Sequence, residues 1–316
     1  MKESALQRKK AARPKRHASI KRKEKAATPA SFELLLISRI INVRENAQIR
    51  GAFNLQDLIY NFTEETKRYA YKSGLAIGEL AAAHFPGVSS LERILASAGM
   101  GNILYAPFET EVKITSARAH NTSIKINTNA HYFESGIIAG FLSKETGRHI
   151  DARETHCIFN GSDFCQFEAS SSVSPFANIS SVSSLEIATK LLAEAVRNNQ
   201  QSNEDYFALS FLPLLREPLL SSATNLVYIL GKRIAHEMQN ENEAFALLAN
   251  YIHLSRIRST KGENEIELQY PHSLSSDGFL QISSALLRGY LSSAHKSACS
   301  AERHMSAGAY RVLFKF

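Results

Sequence analysis

Leu55, Leu58, Ile59 and Phe62, then Tyr69, Ala70, Gly74, Ile77 and Leu80, recur at spacings of three and four. That is the period of an amphipathic helix, and it predicts one across residues 55–85. Ser89–Ala98 fits a shorter helix, with Ser89 or Ser90 as its cap and Glu92 in its first turn. Ile103–Tyr105, Glu111–Thr115 and the alternating run Thr122–Ile126 read as strands. Tyr132–Lys144 reads as a further helix, closed by Gly147, whose backbone tolerates a left-handed C-cap. A hairpin follows: Arg148–Phe159, a turn at Asn160–Gly161, and Phe164–Glu168. The fold expected is α+β, an antiparallel sheet packed with helices.

The pattern changes character twice. Residues 1–30 are polar and basic and contain Pro14 and Pro29, too little apolar surface to offset the entropy of ordering, so a disordered tail is expected. Residues 169–184 are Ser-rich and read as a linker. The segments on either side of it, 32–168 and 185–316, share an order of features. RILASAGMGNILYAPFETEVKIT (93–115) lies beside ALLANYIHLSRIRSTKGENEIELQ (246–269), KSGLAIGEL (72–80) beside LGKRIAHEM (230–238), and ESGIIAGFLS (134–143) beside SDGFLQISSALL (276–287). Each segment closes on an aromatic strand, Cys165–Phe167 or Leu313–Phe316. A tandem of two related domains is the reading; two unrelated α+β domains is the alternative.

Charge alters this picture only at one end. Eleven Lys and Arg against Glu3 and Glu24 give residues 1–25 a charge of +9, so the remainder of a chain whose formal charge is +7 sums to about −2. With 44% hydrophobic and 21% charged residues, the rest is expected to be globular. No apolar run approaches the roughly 18–20 residues of a membrane span. The tail cations have no apolar stretch behind them, so no secretory signal is read, and a cytoplasmic protein is expected. Lys9, Lys10, Arg13, Lys15, Arg16, Lys21, Arg22 and Lys23 are the candidate phosphate contacts if the partner is a nucleic acid.

Two of the three cysteines, Cys157 and Cys165, sit eight apart across the Asn160–Gly161 turn. A three-residue loop, Asn160–Ser162, would oppose them directly, with Cβ atoms about 4.5–5.5 Å apart. The pair admits three readings: a cross-strand disulfide, two buried thiols, or two ligands of one metal, with Glu154 and a nearby histidine completing the set. Side chains alternate along a strand, so Glu154 and Cys157 can share a face only if a bulge or bend lies between them. His149 and His156 flank the hairpin and read as surface residues.

The succession of Gly136-x-x-x-Gly140, Gly147-Arg148-x-Ile150, Glu154-x-x-Cys157 and Gly161-x-x-x-Cys165-x-Phe167 resembles the signature of the 4-vinyl reductase domain. That family belongs to a wider group of ligand-binding α+β folds, shared with trafficking-complex subunits and haem-based nitric oxide sensors. The resemblance covers residues 32–168 in architecture and 131–167 in motif. It implies a Zn2+ ion held by His131, Glu154, Cys157 and Cys165, with His131 standing where the aromatic-sensing relatives have a cysteine. It also implies an apolar small-molecule ligand beside the helix of Gly136 and Gly140, whose bare face admits either that ligand or tight helix–sheet packing. In 185–316 the expected counterpart of Glu154-x-x-Cys157 is Glu302–Met305, with no cysteine after Gly308, so the second domain is expected to be degenerate.

These features favour a binding or sensing protein without catalytic activity. No Ser/His/Asp set, phosphate loop or dinucleotide fingerprint is present in the sequence. An accessory protein or enzyme of a pigment or hydrocarbon pathway, and a regulator that contacts nucleic acid through its tail, are the alternatives; a second copy of the chain is a further candidate partner. Deleting residues 1–28 is expected to leave the melting temperature unchanged and to abolish salt-sensitive DNA or RNA binding. Binding retained by the truncated protein with a steep salt dependence would place the contacts on the folded part instead.

Overall fold

The computed structural model describes residues 31–42, 55–100, 130–176, 185–198, 203–216, 218–239, 243–252 and 277–306, together with strands at 103–107, 111–116, 256–259, 265–270 and 309–315. The basic segment 1–30, the predicted strand Thr122–Ile126 and residues 177–184 lie outside the described residues. Phe32–Phe316 forms one compact unit, within which the segments 32–168 and 185–316 meet. Among the described residues no helix is long and apolar enough to cross a membrane.

The chain enters the fold through α1 (Phe32–Asn42), which buries Leu36, Ile37, Ile40 and Ile41 along one side. The helix predicted over 55–85 is two helices, α2 (Leu55–Tyr60) and α3 (Glu64–His84). The break is a capping box that periodicity does not register. Extended Thr63 accepts the backbone N–H of Thr66 on its hydroxyl, and the Thr66 hydroxyl accepts that of Thr63. Neither Ser89 nor Ser90 caps α4 (Val88–Leu95); Gly87 does, at φ 98°, with no side-chain bond. The chain then makes a wide helical turn over Ala96–Met100.

β1 (Ile103–Pro107), β2 (Glu111–Ser116), β3 (Asp151–His156) and β4 (Gln166–Ser170) form an antiparallel sheet in the order β1-β2-β4-β3. The helix α5 (Tyr132–Thr146) joins β2 to β3, packs on β3 and β4, and ends on Gly147 at φ 66°, as predicted. The Ser-rich stretch is not a free linker at its start. Ala169 and Ser170 belong to β4, Val173 is buried, and the Phe176 ring stacks on Tyr132 at 6.5 Å under the guanidinium of Arg68.

The tightest contact in this half lies between α3 and α5. A Cβ at Gly74 would stand 2.1 Å from the Phe133 carbonyl oxygen, one at Gly136 2.1 Å from that of Tyr71, and one at Gly140 2.0 Å from that of Leu75. The two backbones touch, which any side chain larger than hydrogen forbids. Gly136 and Gly140 therefore face α3 and not a ligand, which corrects the pocket role expected of them.

The second half has the same element order: α6 (Leu185–Arg197), α7 (Glu204–Phe211), α8 (Leu219–Glu237), α9 (Ala244–Tyr251), β5 (Arg256–Ser259), β6 (Glu265–Tyr270), α10 (Asp277–Ala294), β7 (Ser300–Ser306) and β8 (Ala309–Lys315). Its sheet runs β5-β6-β8-β7. α8 and α10 repeat the backbone contact: a Cβ at Gly231 would lie 2.0 Å from the Leu286 carbonyl oxygen and one at Gly289 2.1 Å from that of Tyr228. The helix exits fix the correspondence. Gly147 and Lys296 both have positive φ, and the hydroxyls of Ser143 and Ser292 each accept the backbone N–H seven residues on, from Ile150 and Cys299. Gly289 thus stands where Gly140 stands. The sequence alignment, which set Gly278 beside Gly136, was displaced along the helix; Gly278 lies against the Leu215 side chain.

The halves interlock through their short helices. α7 packs on α1, the 3-10 turn Leu212–Leu215 packs on α3, and α2 packs on α8. The Asn203 N–H, at the cap of α7, donates to the Ser97 carbonyl at 3.1 Å, and Arg39 pairs with Asp205 at 3.0 Å. Gly136→Ala and Gly289→Ala are each expected to cost about 2–3 kcal/mol in urea unfolding, the size of a strained overpacking. Gly147→Ala, where a Cβ meets open space and only the left-handed backbone resists, is expected to cost about 1 kcal/mol.

Candidate metal centre

Glu154 projects from the inner face of β3, sharing that face with buried Ala152. Pairing with β4 runs regularly from Asp151↔Ser170 to Glu154↔Phe167 and then shifts, so that His156 faces Gln166. Thr155 is the extra residue of a bulge, and its hydroxyl bonds the Gln166 carbonyl. The bulge that alternation demanded between Glu154 and Cys157 is present.

The cysteines are placed differently from expectation. They are not paired residues of a hairpin with a three-residue loop; they follow the last pair, His156↔Gln166, outside the ladder. Cys157 opens a 3-10 turn, Ile158–Asn160, and its carbonyl accepts the N–H groups of Asn160 and Ser162. The irregular loop up to Cys165 turns both sulfurs inward, where both residues are buried, and neither is in a disulfide. His149 and His156 are exposed, as read from the sequence.

His131 comes from the other side, as the residue before the first turn of α5. Its Nδ1 lies 2.7 Å from Glu154 Oε1, 3.9 Å from Cys157 Sγ and 3.8 Å from Cys165 Sγ. One donor atom from each of the four residues lies within 4.8 Å of the others, and all four residues are buried. The second carboxylate oxygen of Glu154 accepts the backbone N–H groups of Ala130 and His131, at 3.0 and 3.3 Å. Both donors lie at the N-terminal end of α5, where the helix dipole favours a carboxylate.

The electrostatics follow from the contacts. Burial is the largest single influence on His131 and opposes its charge, but the Glu154 carboxylate and the Cys157 thiol together hold the imidazole pKa well above its ordinary value. Burial is likewise the largest influence on Glu154 and opposes its ionisation, but His131 and the Cys157 thiol together hold the carboxyl below its usual range. Burial pushes the Cys157 thiol well up. At Cys165 the bond with Cys157 lowers the pKa, but burial and the Glu154 charge together leave it raised. Without a metal these directions favour protons on the imidazole and on both thiols, and a bound divalent cation would displace them.

The donor set fits zinc on its own chemistry. Two sulfurs, one imidazole and one carboxylate are soft-to-borderline ligands, unlike the all-oxygen shells of calcium or magnesium. A tetrahedron built on zinc–nitrogen and zinc–sulfur bonds has nitrogen–sulfur edges of about 3.6 Å, close to the 3.8 and 3.9 Å found. Among the described residues the second half has nothing comparable. By the correspondence of the helix exits, Leu280 stands for His131 and Arg303 for Glu154, one residue beyond the alignment read from sequence. β7 and β8 pair without interruption from Ser300↔Lys315 to Ser306↔Ala309, with no bulge. The third cysteine, Cys299, takes the place of Ile150.

The outer contacts of the site left no trace in the sequence pattern. Tyr71 of α3 donates its phenol to Asp151 at 2.8 Å and accepts the Ala152 N–H, tying α3 to β3. Asn61, after α2, donates its amide to the carbonyls of Asp57 and Ala130, the residue beside His131. A polar side chain in a helix-period pattern gives no signal of a bond 69 residues away.

Comparison with known proteins agrees with the motif. The 4-vinyl reductase domain family matches residues 112–171, about a fifth of the chain and the stretch that contains all four donors. The uncharacterized protein MJ0150 of Methanocaldococcus jannaschii is 40% identical over 48 residues, 15% of this chain and 27% of that protein, so the match spans about a quarter of the relative. A crystal structure of a vinyl-4-reductase family protein from the same organism superposes with a TM-score of 0.27 at 20% identity, over 32% of this chain and 66% of that one.

Proposed function

We propose that the first half is a zinc-stapled module that binds an apolar small molecule, and that the protein acts as a binding or sensing component and not as an enzyme. The observation that carries the zinc reading is the closed donor set: His131, Glu154, Cys157 and Cys165, all buried, with one donor atom each inside a 4.8 Å cluster. Four protein ligands fill a zinc tetrahedron and leave no position for an activated water, the arrangement of a structural site. Such a site clamps together α5, β3 and the irregular loop, three elements that share no regular hydrogen-bond ladder beyond His156. The family match over 112–171 favours a ligand-binding role. The reductase in the family's name belongs to other members and does not transfer through a fold.

The two halves read as one unit repeated, the second retaining the helix contact and strand order and having lost the metal. On this reading the second half is a built-in pairing partner for the first. Elemental analysis of purified protein is expected to give one zinc per chain, and Cys157→Ser, Cys165→Ser and His131→Ala are each expected to lose it. Chelation should lower the melting temperature, because binding free energy at such a site is also folding free energy. Stoichiometric zinc in the Cys157→Ser protein would overturn the assignment.

A further inference from the structure

Where the halves interlock, the interior is polar. Glu134 on α5 is 1% exposed. One of its carboxylate oxygens accepts the Tyr206 phenol of the second half at 2.6 Å, and the other has no hydrogen-bond partner. On α2, Gln56 is fully buried and neither end of its amide is bonded. Asp57 beside it is also buried. Tyr60, one helical turn on, donates its phenol to the Ser210 carbonyl of the second half at 3.0 Å. Phe133 lies between the tyrosines, stacked near Tyr60 at 6.1 Å and edge-on to Tyr206 at 6.4 Å.

Unpaired buried polar groups cost free energy, and those of Gln56 and Glu134 ask what pairs with them. The chemistry here selects one sign of charge. Burial most of all, and then Glu134 and Asp57, push up the phenol pKa values of Tyr60 and Tyr206, while Arg216 acts the other way on Tyr60. A cation would find a carboxylate oxygen without a bond, an amide oxygen without a bond, and aromatic rings whose faces attract positive charge.

We propose that the seam between the halves binds a small organic ammonium ion, with Glu134 as its counter-ion and Gln56 and the rings of Tyr60, Phe133 and Tyr206 as its surroundings. This site is separate from the metal centre and from the apolar ligand of the first half. It uses residues of both halves, so it exists only because they are joined.

The test is thermal unfolding of the full chain in n-butylammonium chloride against sodium chloride and potassium chloride of equal ionic strength. The wild type is expected to show a saturable rise in melting temperature with the ammonium salt alone. Glu134→Gln, which keeps the size and the bond to Tyr206, is expected to weaken the apparent affinity at least tenfold. Gln56→Leu is expected to weaken it about fivefold, and it carries the test if Glu134→Gln does not fold. Zinc content is expected to be unchanged in both variants, which separates failure here from failure of the metal assignment. No ammonium-specific shift in the wild type, an equal shift with potassium, or affinity undiminished in the folded variants would each overturn the proposal.

Discussion

A methyl group at Gly136 would stand 2.1 Å from the Tyr71 carbonyl oxygen, and one at Gly74 the same distance from that of Phe133. α3 and α5 can therefore lie this close only where neither carries a side chain, and their axes are held by backbone meeting backbone. What projects from α5 is placed by that contact. His131, at its start, is directed at the sheet, where the bulge in β3 and the loop after it present Glu154, Cys157 and Cys165. Glu134, less than a turn later, meets the Tyr206 phenol of the second half. Tyr71, on the same α3 surface, pins the beginning of β3. Movement of α5 along α3 would displace both sites together.

The sequence made the regular parts legible and the exceptions illegible. Helical period located α3, whose one side is buried, while the stop at Gly147 bounded α5 and the Asn160–Gly161 turn located the hairpin. The break at Asn61–Thr63 was missed because apolar spacing continues across it, and the capping box that makes it uses two threonines and no acidic residue at the usual place. α1 was missed because Leu34–Ile37 is a short apolar run, too short on its own to show a period. The four residues that the structure clusters were named as a set from motif spacing, but their mounting was not. The hairpin loop was read as three residues on the strength of Asn160–Gly161, and the structure uses that pair to end a 3-10 turn inside a longer loop.

The glycines show how one signal supports two meanings. A bare helix face admits a ligand or a backbone, and the spacing of Gly136 and Gly140 is the same for both. Only the partner decides, and the partner is Gly74 and Gly78 on α3, themselves a small-residue pair at the same spacing. Reading the four together, with Gly231 and Gly289 repeating the contact in the second half, would have favoured packing. A ligand face would not need glycine on both helices.

The comparison between halves separates what the fold requires from what chemistry adds. Both halves keep the helix contact, the strand order and the serine hydroxyl that bonds the chain after the central helix. Those features hold up the architecture whether or not a metal is present. Among the described residues, the bulge, the irregular loop and the four donors occur in the first half alone. Irregular backbone is costly where a plain hairpin would serve, and the second half, with Leu280 and Arg303 at the donor positions, has the plain hairpin. Among the described residues the deviation from regular structure and the four clustered donors are present together or absent together. The bulge is therefore part of the cluster, with the strand bent so that residues three apart can turn toward the same point.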